Sequence, residues 1–289
     1  DLDSVLESAM AKSTPTNKEK LHIIKKKFTI NENLVVDNPI EMEADVLEST
    51  VHIVTVSSSS IRGIERCLEQ SDLAAEKIVL NSIAKSHAVL SQEDKDSGVC
   101  LVDIGAGVTS YSVFNEEGIV RSGVIASGGD EITQEIAYAF DTSFEEAKRL
   151  KENYGSAKSS TLKEDKLIRF TQNKEEHHLS SLELSEVIEE AYRVIFTLLN
   201  NELKHHNLNG IIRSGFVLCG GGAQINSILE LVRDFFSKRV KIGQIQRSKV
   251  SGLETILTDY KFASAIGLLL YKDDLSSTEV SEHKRGKGV

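Results

Sequence analysis

Apolar positions along this chain recur with two periods, and the changes of period mark its elements. Leu2, Val5, Leu6, Ala9 and Met10 share one helical face, so residues 2–11 are predicted as an amphipathic helix. A polar break containing Pro15 follows, then a strand over 21–30 whose outer face carries Lys25, Lys26 and Lys27. That basic run suits a solvated sheet edge better than a nucleic-acid patch. A turn at Asn38-Pro39 leads to a second strand within 43–56, and the serines 57–60 are expected to cap a helix over 61–68. Residues 1–75 thus read as a small α+β unit without a glycine-rich loop or catalytic cluster, suited to interaction or assembly.

The next stretch predicts a strand at 77–80, an apolar helix at 83–90 and a charged turn at 92–97. A three-strand meander covers 99–125, followed by helices over 131–140 and 142–154. Asp130 stands where it could cap the first of these helices, and Ser143 with Glu146 has capping-box spacing in the second. Residues 155–180 are polar and read as irregular, with His177 and His178 solvated, while 182–203 is a long amphipathic helix running into His205 and His206. Neither His pair has the spacing of a metal site. A strand from Gly215 enters three glycines and then a helix over 225–236. An apolar, small-residue helix covers 262–270, and the polar tail 274–289 is expected to be disordered.

Three glycine segments could carry chemistry. Asp103-Ile-Gly-Ala-Gly-Val-Thr109 ends a strand in a tight turn, where successive N–H groups can form a concave anion site. Asp103 at its lip could hold a divalent metal through water. An ordinary β-hairpin would use the same residues. Gly128, Gly129 and Asp130 precede a helix, a second natural place for an anion. Gly220, Gly221, Gly222 and Ala223 would let the main chain approach a flat or bulky group, the alternative being a tight strand-to-helix turn.

Composition narrows the classes. The 289 residues are 40% hydrophobic and 27% charged, enough for two or more globular units, with no apolar run of transmembrane length. A net charge of −10 argues against a general nucleic-acid binder. Cys67, Cys100 and Cys219 are odd in number and widely spaced beside apolar segments, so they are expected as buried, reduced thiols. The chain begins at Asp1 without a signal peptide and reads as part of a longer protein.

Taken together, the two glycine turns, the Gly-Gly-Asp segment between them and Phe262-Ala-Ser-Ala-Ile-Gly267 resemble the actin, heat-shock-chaperone and sugar-kinase nucleotide fold. That resemblance implies an α/β, ribonuclease H-like architecture of two lobes closing over ATP. Within it, the chain resembles the FtsA family of bacterial cell-division proteins. The likeness rests on Asn38-Pro39 with 51–55, on 128–140, 142–148 and 151–157, on 240–243 and 251–253, and on 265–271. It implies an inserted, SHS2-like domain 1C at 1–75. Residues 76–124 and 262–273 would be the remainder of subdomain 1A with the phosphate hairpin. Lobe 2 would span 125–261, with subdomain 2B at about 141–205 and the adenosine loop at 217–225.

The resemblance further implies an ATP-binding, filament-forming adaptor at the cytoplasmic face of the inner membrane, at the division site. It would bind the C-terminal peptide of FtsZ through about 160–205 of 2B, meet other division proteins through 1C, and use ATP with Mg²⁺. Gly105, Ala106, Gly107 and Thr109 would hold the β- and γ-phosphates, and Asp103 the magnesium water shell. Gly128, Gly129 and Asp130 would approach phosphate or ribose, and Gly220, Gly221, Gly222 and Ala223 would pack on adenosine. Glu145 and Lys148 stand where chaperones grip ribose and adenine, although a solvated helix face explains them equally well.

Three departures qualify these expectations. The family's first phosphate loop is expected upstream of Asp1. Asn81 stands near the place of a water-positioning glutamate, and an amide can orient water but cannot act as a base, so slow or no hydrolysis is expected. The stretch 276–289 has no apolar face for a membrane helix, only Lys284, Arg285 and Lys287. The alternatives are a PilM-like adaptor of type IV pilus assembly and a true ATPase or sugar kinase of the same fold.

Overall fold

The computed structural model describes residues 4–271 except 6, 9, 10, 12, 13, 37, 173, 174, 248, 249, 253 and 259–261. Ser4, Val5, Glu7 and Ser8 of the predicted first helix are helical, and its positions 2, 3, 6, 9 and 10, like the tail 272–289, lie outside the described residues.

A three-stranded antiparallel sheet follows, of β1 (Lys18–Ile30), β2 (Leu34–Val36) and β3 (Leu47–Ser57) in the order β2-β1-β3. Its alternation buries Ile23, Phe28 and Ile30 on one face and Val54, paired with His22, on the other, and Ile61 of α1 (Ser58–Glu69) is also buried. The register slips between Lys25 and Phe28, within the basic run. Serines 58–60 form the first turn of α1 itself. Ser57 is the N-cap residue, but its hydroxyl pairs with that of Ser59 at 2.7 Å instead of capping a backbone N–H.

Residues 77–80 are not the predicted strand. They belong to no described sheet, and the Leu80 N–H donates to the buried His22 Nε2 at 2.8 Å. Helix α2 (Asn81–Val89) comes next, then α3 (Gln92–Ser97), a helix where a turn was predicted. Ser91 and Asp94 close a reciprocal capping box that makes this short helix viable.

The central sheet runs β10-β9-β4-β5-β6, built from β4 (Val99–Ile104), β5 (Thr109–Asn115), β6 (Gly118–Ile125), β9 (Gly215–Cys219) and β10 (Val240–Ile242). Strands β10, β9 and β4 are parallel, and β4, β5 and β6 pair antiparallel. Both glycine turns therefore leave one sheet. This corrects the division that put the 99–114 hairpin in one lobe and the 220–222 turn in another.

Every residue of β4 and β9 is buried, as two-sided coverage demands. On one face, Cys100, Val102 and Ile104 pack with α4 (Gly129–Ala139), α5 (Phe144–Tyr154), α6 (Ser181–His205) and α7 (Ile228–Phe236). On the other, Leu101 and Val217 pack with Ile83 and Val89 of α2 and Ile266 of α9 (Ala263–Leu270). The short α8 (Glu254–Thr258) precedes α9.

The stretch read as irregular holds a hairpin of β7 (Leu167–Gln172) and β8 (Glu175–Ser180). Only Ile168, Phe170 and Leu179 turn inward, too few apolar positions to stand out in a polar sequence. His177 and His178 lie on β8, and the His177 ring sits 5.9 Å from that of Phe170. The Ser143–Glu146 box is half formed: Ser143 accepts from the Glu146 N–H, but the Glu146 carboxylate turns to Arg149. The helix predicted from 225 begins at Ile228, after a 3-10 turn over Gly221–Gln224. Cys100 and Cys219 are buried, whereas Cys67 is exposed on α1, against expectation.

Candidate functional site

Strands β4 and β9 are parallel neighbours, and their last paired residues are Asp103 and Cys219. From β4 the chain turns to β5 on one side, and after β9 it returns as β10 on the other. A crevice at the carboxyl ends of parallel strands whose connections part in opposite directions is where open α/β sheets take ligands. Both glycine turns open there.

The second turn has no room for a side chain. Gly220 has φ +87°, and a Cβ there would lie 2.3 Å from the Ile104 carbonyl oxygen and 2.6 Å from Asp103 Oδ1. Tyr192 of α6 fixes the same turn from below, its hydroxyl donating to the Gly222 carbonyl at 2.6 Å. Burial pushes that phenol well above its ordinary pKa. A cavity of about 280 Å³ lies beside the turn, bounded by Ala223, Gln224, Ile225, Ile228 and Ile242.

The first turn is closed by the Gly105 N–H on the Val108 carbonyl at 2.9 Å. It is also held by the start of α4: the Gly129 N–H donates to Gly105 at 2.9 Å and the Asp130 N–H to Ala106 at 2.8 Å. The N-cap residue is Gly128, and Asp130 is an exposed member of the first helical turn, which corrects its expected capping role. Two N–H groups expected to face an anion thus hold the hairpin instead. Lys151 braces the junction, its Nζ 2.5 Å from the Gly129 carbonyl and 2.6 Å from Thr133 Oγ1. Burial lowers the pKa of that amine, and Asp130 opposes the shift. Beside the turn, Thr109 Oγ1 and Ser127 Oγ are buried without a hydrogen-bond partner among the described residues.

Asp103 is 8% exposed. The Lys85 ammonium lies 2.6 Å from its Oδ2, and Asn81 Nδ2 donates to the same oxygen at 3.1 Å. Asn81 and Lys85 are one helical turn apart on α2, which places both over the end of β4. Behind them, burial pushes the Cys219 thiol up to about 12, with Asp103 adding to the shift and Lys85 opposing it.

The structure therefore gathers Asn81, Asp103, Gly105 to Thr109, Gly128 to Asp130 and Gly220 to Ala223 around one crevice. Glu145 and Lys148 are exposed on α5. Sequence reasoning missed Lys85, Lys151 and Tyr192. For Lys85 a signal existed: one lysine stands among small and apolar residues in a helix that must be buried. The residues do not fit a magnesium ion on Asp103, because its carboxylate is already met by an ammonium and an amide. Among the described residues, no group of three or more His, Cys, Asp or Glu could hold a metal.

The family model for the cell division protein FtsA matches residues 100–267, and that for the SHS2 domain inserted in FtsA matches residues 1–55. The cell division protein FtsA of Pseudomonas aeruginosa is 31% identical over 273 residues, covering 94% of this chain and 65% of its own length. That of Borreliella burgdorferi is 34% identical over 277 residues, covering 95% of this chain and 67% of its own. The chain thus spans about two thirds of the length of the curated relatives it matches.

Among solved structures, ADP-bound MreB5 of Spiroplasma citri aligns with a TM-score of 0.62 at 20% identity, over 76% of this chain and 67% of that one. The PilM–PilN type IV pilus biogenesis complex aligns with a TM-score of 0.61 at 15% identity, over 93% of this chain and 70% of that one. These likenesses show an actin-like α/β fold.

Proposed function

This chain belongs to the FtsA family of cell division proteins, and from that premise we propose that it is an ATP-binding, actin-like adaptor. It would join FtsZ filaments to the inner membrane and bring later division proteins to the septum. The single observation that carries the nucleotide reading is the crevice between the carboxyl ends of β4 and β9, with a glycine turn on each side.

The buried, unpaired hydroxyls of Thr109 and Ser127 support it, since each can donate to a phosphate oxygen. In this reading Gly105, Ala106, Gly107 and Thr109 hold phosphates, with Gly128, Gly129 and Asp130 behind them. Gly220, Gly221, Gly222 and Ala223 pack on adenosine, and Glu145 and Lys148 line its ribose side. The bound nucleotide supplies charge and bulk that govern assembly. Asn81, an amide fixed on Asp103, offers no base, so turnover is slow or absent. The FtsZ tail peptide docks on about 160–205, self-association gives filaments, and residues 1–75 meet other division proteins. In this reading attachment is through an amphipathic segment; among the described residues no helix is long and apolar enough to cross a membrane.

The test is binding of ATP and of the FtsZ C-terminal peptide to the full-length protein, each followed by calorimetry. Saturable binding of both is expected. Binding of a pilus inner-membrane peptide in place of the FtsZ tail would favour the PilM-like alternative, and phosphate release at chaperone-like rates would favour an enzyme.

A further inference from the structure

The ion pair between Lys85 and Asp103 sits where nucleotide phosphates would arrive, and the proposed binding of ATP leaves it unexplained. A lysine is seldom buried, because taking an ammonium out of water is costly unless a carboxylate meets it. Here the side chains of Lys85 and Asp103 are only 9% and 10% exposed, and the contact is 2.6 Å. Nothing in the packing of α2 requires a charge at this position. Its neighbours Ile83, Ala84, Ala88 and Val89 are buried against the sheet and α9, and a small or apolar residue would serve the same face.

The electrostatics are specific. A carboxylate beside a triphosphate would repel it, and in sites of this kind a divalent cation removes the repulsion by bridging acid and phosphate. In this chain a cation already occupies that position and is covalently part of the protein. An ammonium has three N–H donors. Asp103 takes one, and no other acceptor for Lys85 appears among the described residues. The remaining donors are held at the crevice by a helix packed on both the sheet and α9, so little side-chain freedom would be lost on binding.

Resting on the nucleotide reading above, we infer that Lys85 is the resident cation of this site. It stands on Asp103 in place of magnesium, so the chain itself neutralises the bound phosphates and nucleotide binding does not depend on divalent metal.

The experiment is calorimetric titration of the full-length protein with ATP, in excess magnesium and in excess chelator. The unaltered protein is expected to bind with affinities that agree within about threefold in the two media. Lys85→Met, which keeps length without charge, is expected to lose about tenfold or more in chelator and to recover when magnesium is added, because Asp103 is then free to accept it. Lys85→Arg is expected to keep metal-independent binding.

Metal-dependent binding by the unaltered protein would overturn the inference alone, as would unchanged affinity of Lys85→Met in chelator. If Lys85→Met does not fold, the two titrations of the unaltered protein decide the matter. No ATP binding in either medium would remove the nucleotide reading and the inference with it.

Discussion

At the scale of single residues, the crevice depends on side chains that are absent as much as on those present. Gly220 combines a positive φ with a backbone oxygen 2.3 Å from where a Cβ would stand, whereas at Gly221 nothing lies within 4 Å of that position. Gly220→Ala should therefore destabilise the protein by at least about 2 kcal/mol in urea unfolding, and Gly221→Ala by no more than about 1 kcal/mol. Equal effects would mean that the close approach of this turn to Ile104 and Asp103 is not a constraint. Tyr192 makes a parallel case from the other side of the turn. Removing its hydroxyl leaves the Gly222 carbonyl without this donor, so Tyr192→Phe should lose about 1–2 kcal/mol while keeping the fold. The glycines were legible because their spacing is local. Tyr192 and Lys151 were not, since each reaches the site from a helix distant in sequence, and Lys85 showed only as a lone charge in an apolar helix.

Among the elements, those with one strongly apolar face were legible in outline, and those held by polar contacts were missed. The β7–β8 hairpin shows why. Glu146 of α5 accepts from the Thr171 N–H at 2.9 Å, and Arg149, paired with Glu146, donates to the Arg169 carbonyl at 2.8 Å. These ties join residues 25 and 20 positions apart, and no hydrophobic period reports them. The Arg149 guanidinium holds the Glu146 carboxyl below its ordinary 4.5, with the Thr171 N–H acting in the same direction. A depressed acid stabilises the folded form fully above its unfolded pKa and loses that contribution as pH falls through the folded value. Hydrogen exchange at Thr171 should therefore quicken as the pH drops below about 4.5, once corrected for intrinsic rates. Glu146→Ala should show faster exchange already at neutral pH, with the central strands unaffected. Unchanged protection at Thr171 would mean that packing of Ile168 and Phe170 alone holds the hairpin.

Across the whole molecule, the sequence pointed to an α/β nucleotide fold but not to its pairing. Residues 99–104 and 215–219 are separated by the entire stretch of α4 to α6, and their parallel register follows from burial on both sides of the sheet, which strand propensity alone cannot assign to a partner. A similar long-range junction joins the two sheets, where β3 packs against β6. His52 of β3 is placed there with Lys26 of β1 and Arg121 of β6, and its Nε2 is buried without a hydrogen-bond partner among the described residues. Burial first, and then the two cations, pull its pKa from 6.5 down to about 4.

The unfolded chain therefore takes up this proton before the folded one does. The contribution of a neutral His52 is complete above pH 6.5 and is lost as the pH falls from 6.5 towards about 4. Between those limits the loss should amount to between about 1 and 3 kcal/mol in urea unfolding followed across pH. His52→Leu, which cannot take up a proton, should flatten the slope over the same interval while leaving the acid limb set by the carboxylates. An unaltered slope in that variant would show that the junction between the two sheets does not exclude the charged imidazole. A flattened one would make the docking of the small sheet on β6 the acid-sensitive joint of the molecule.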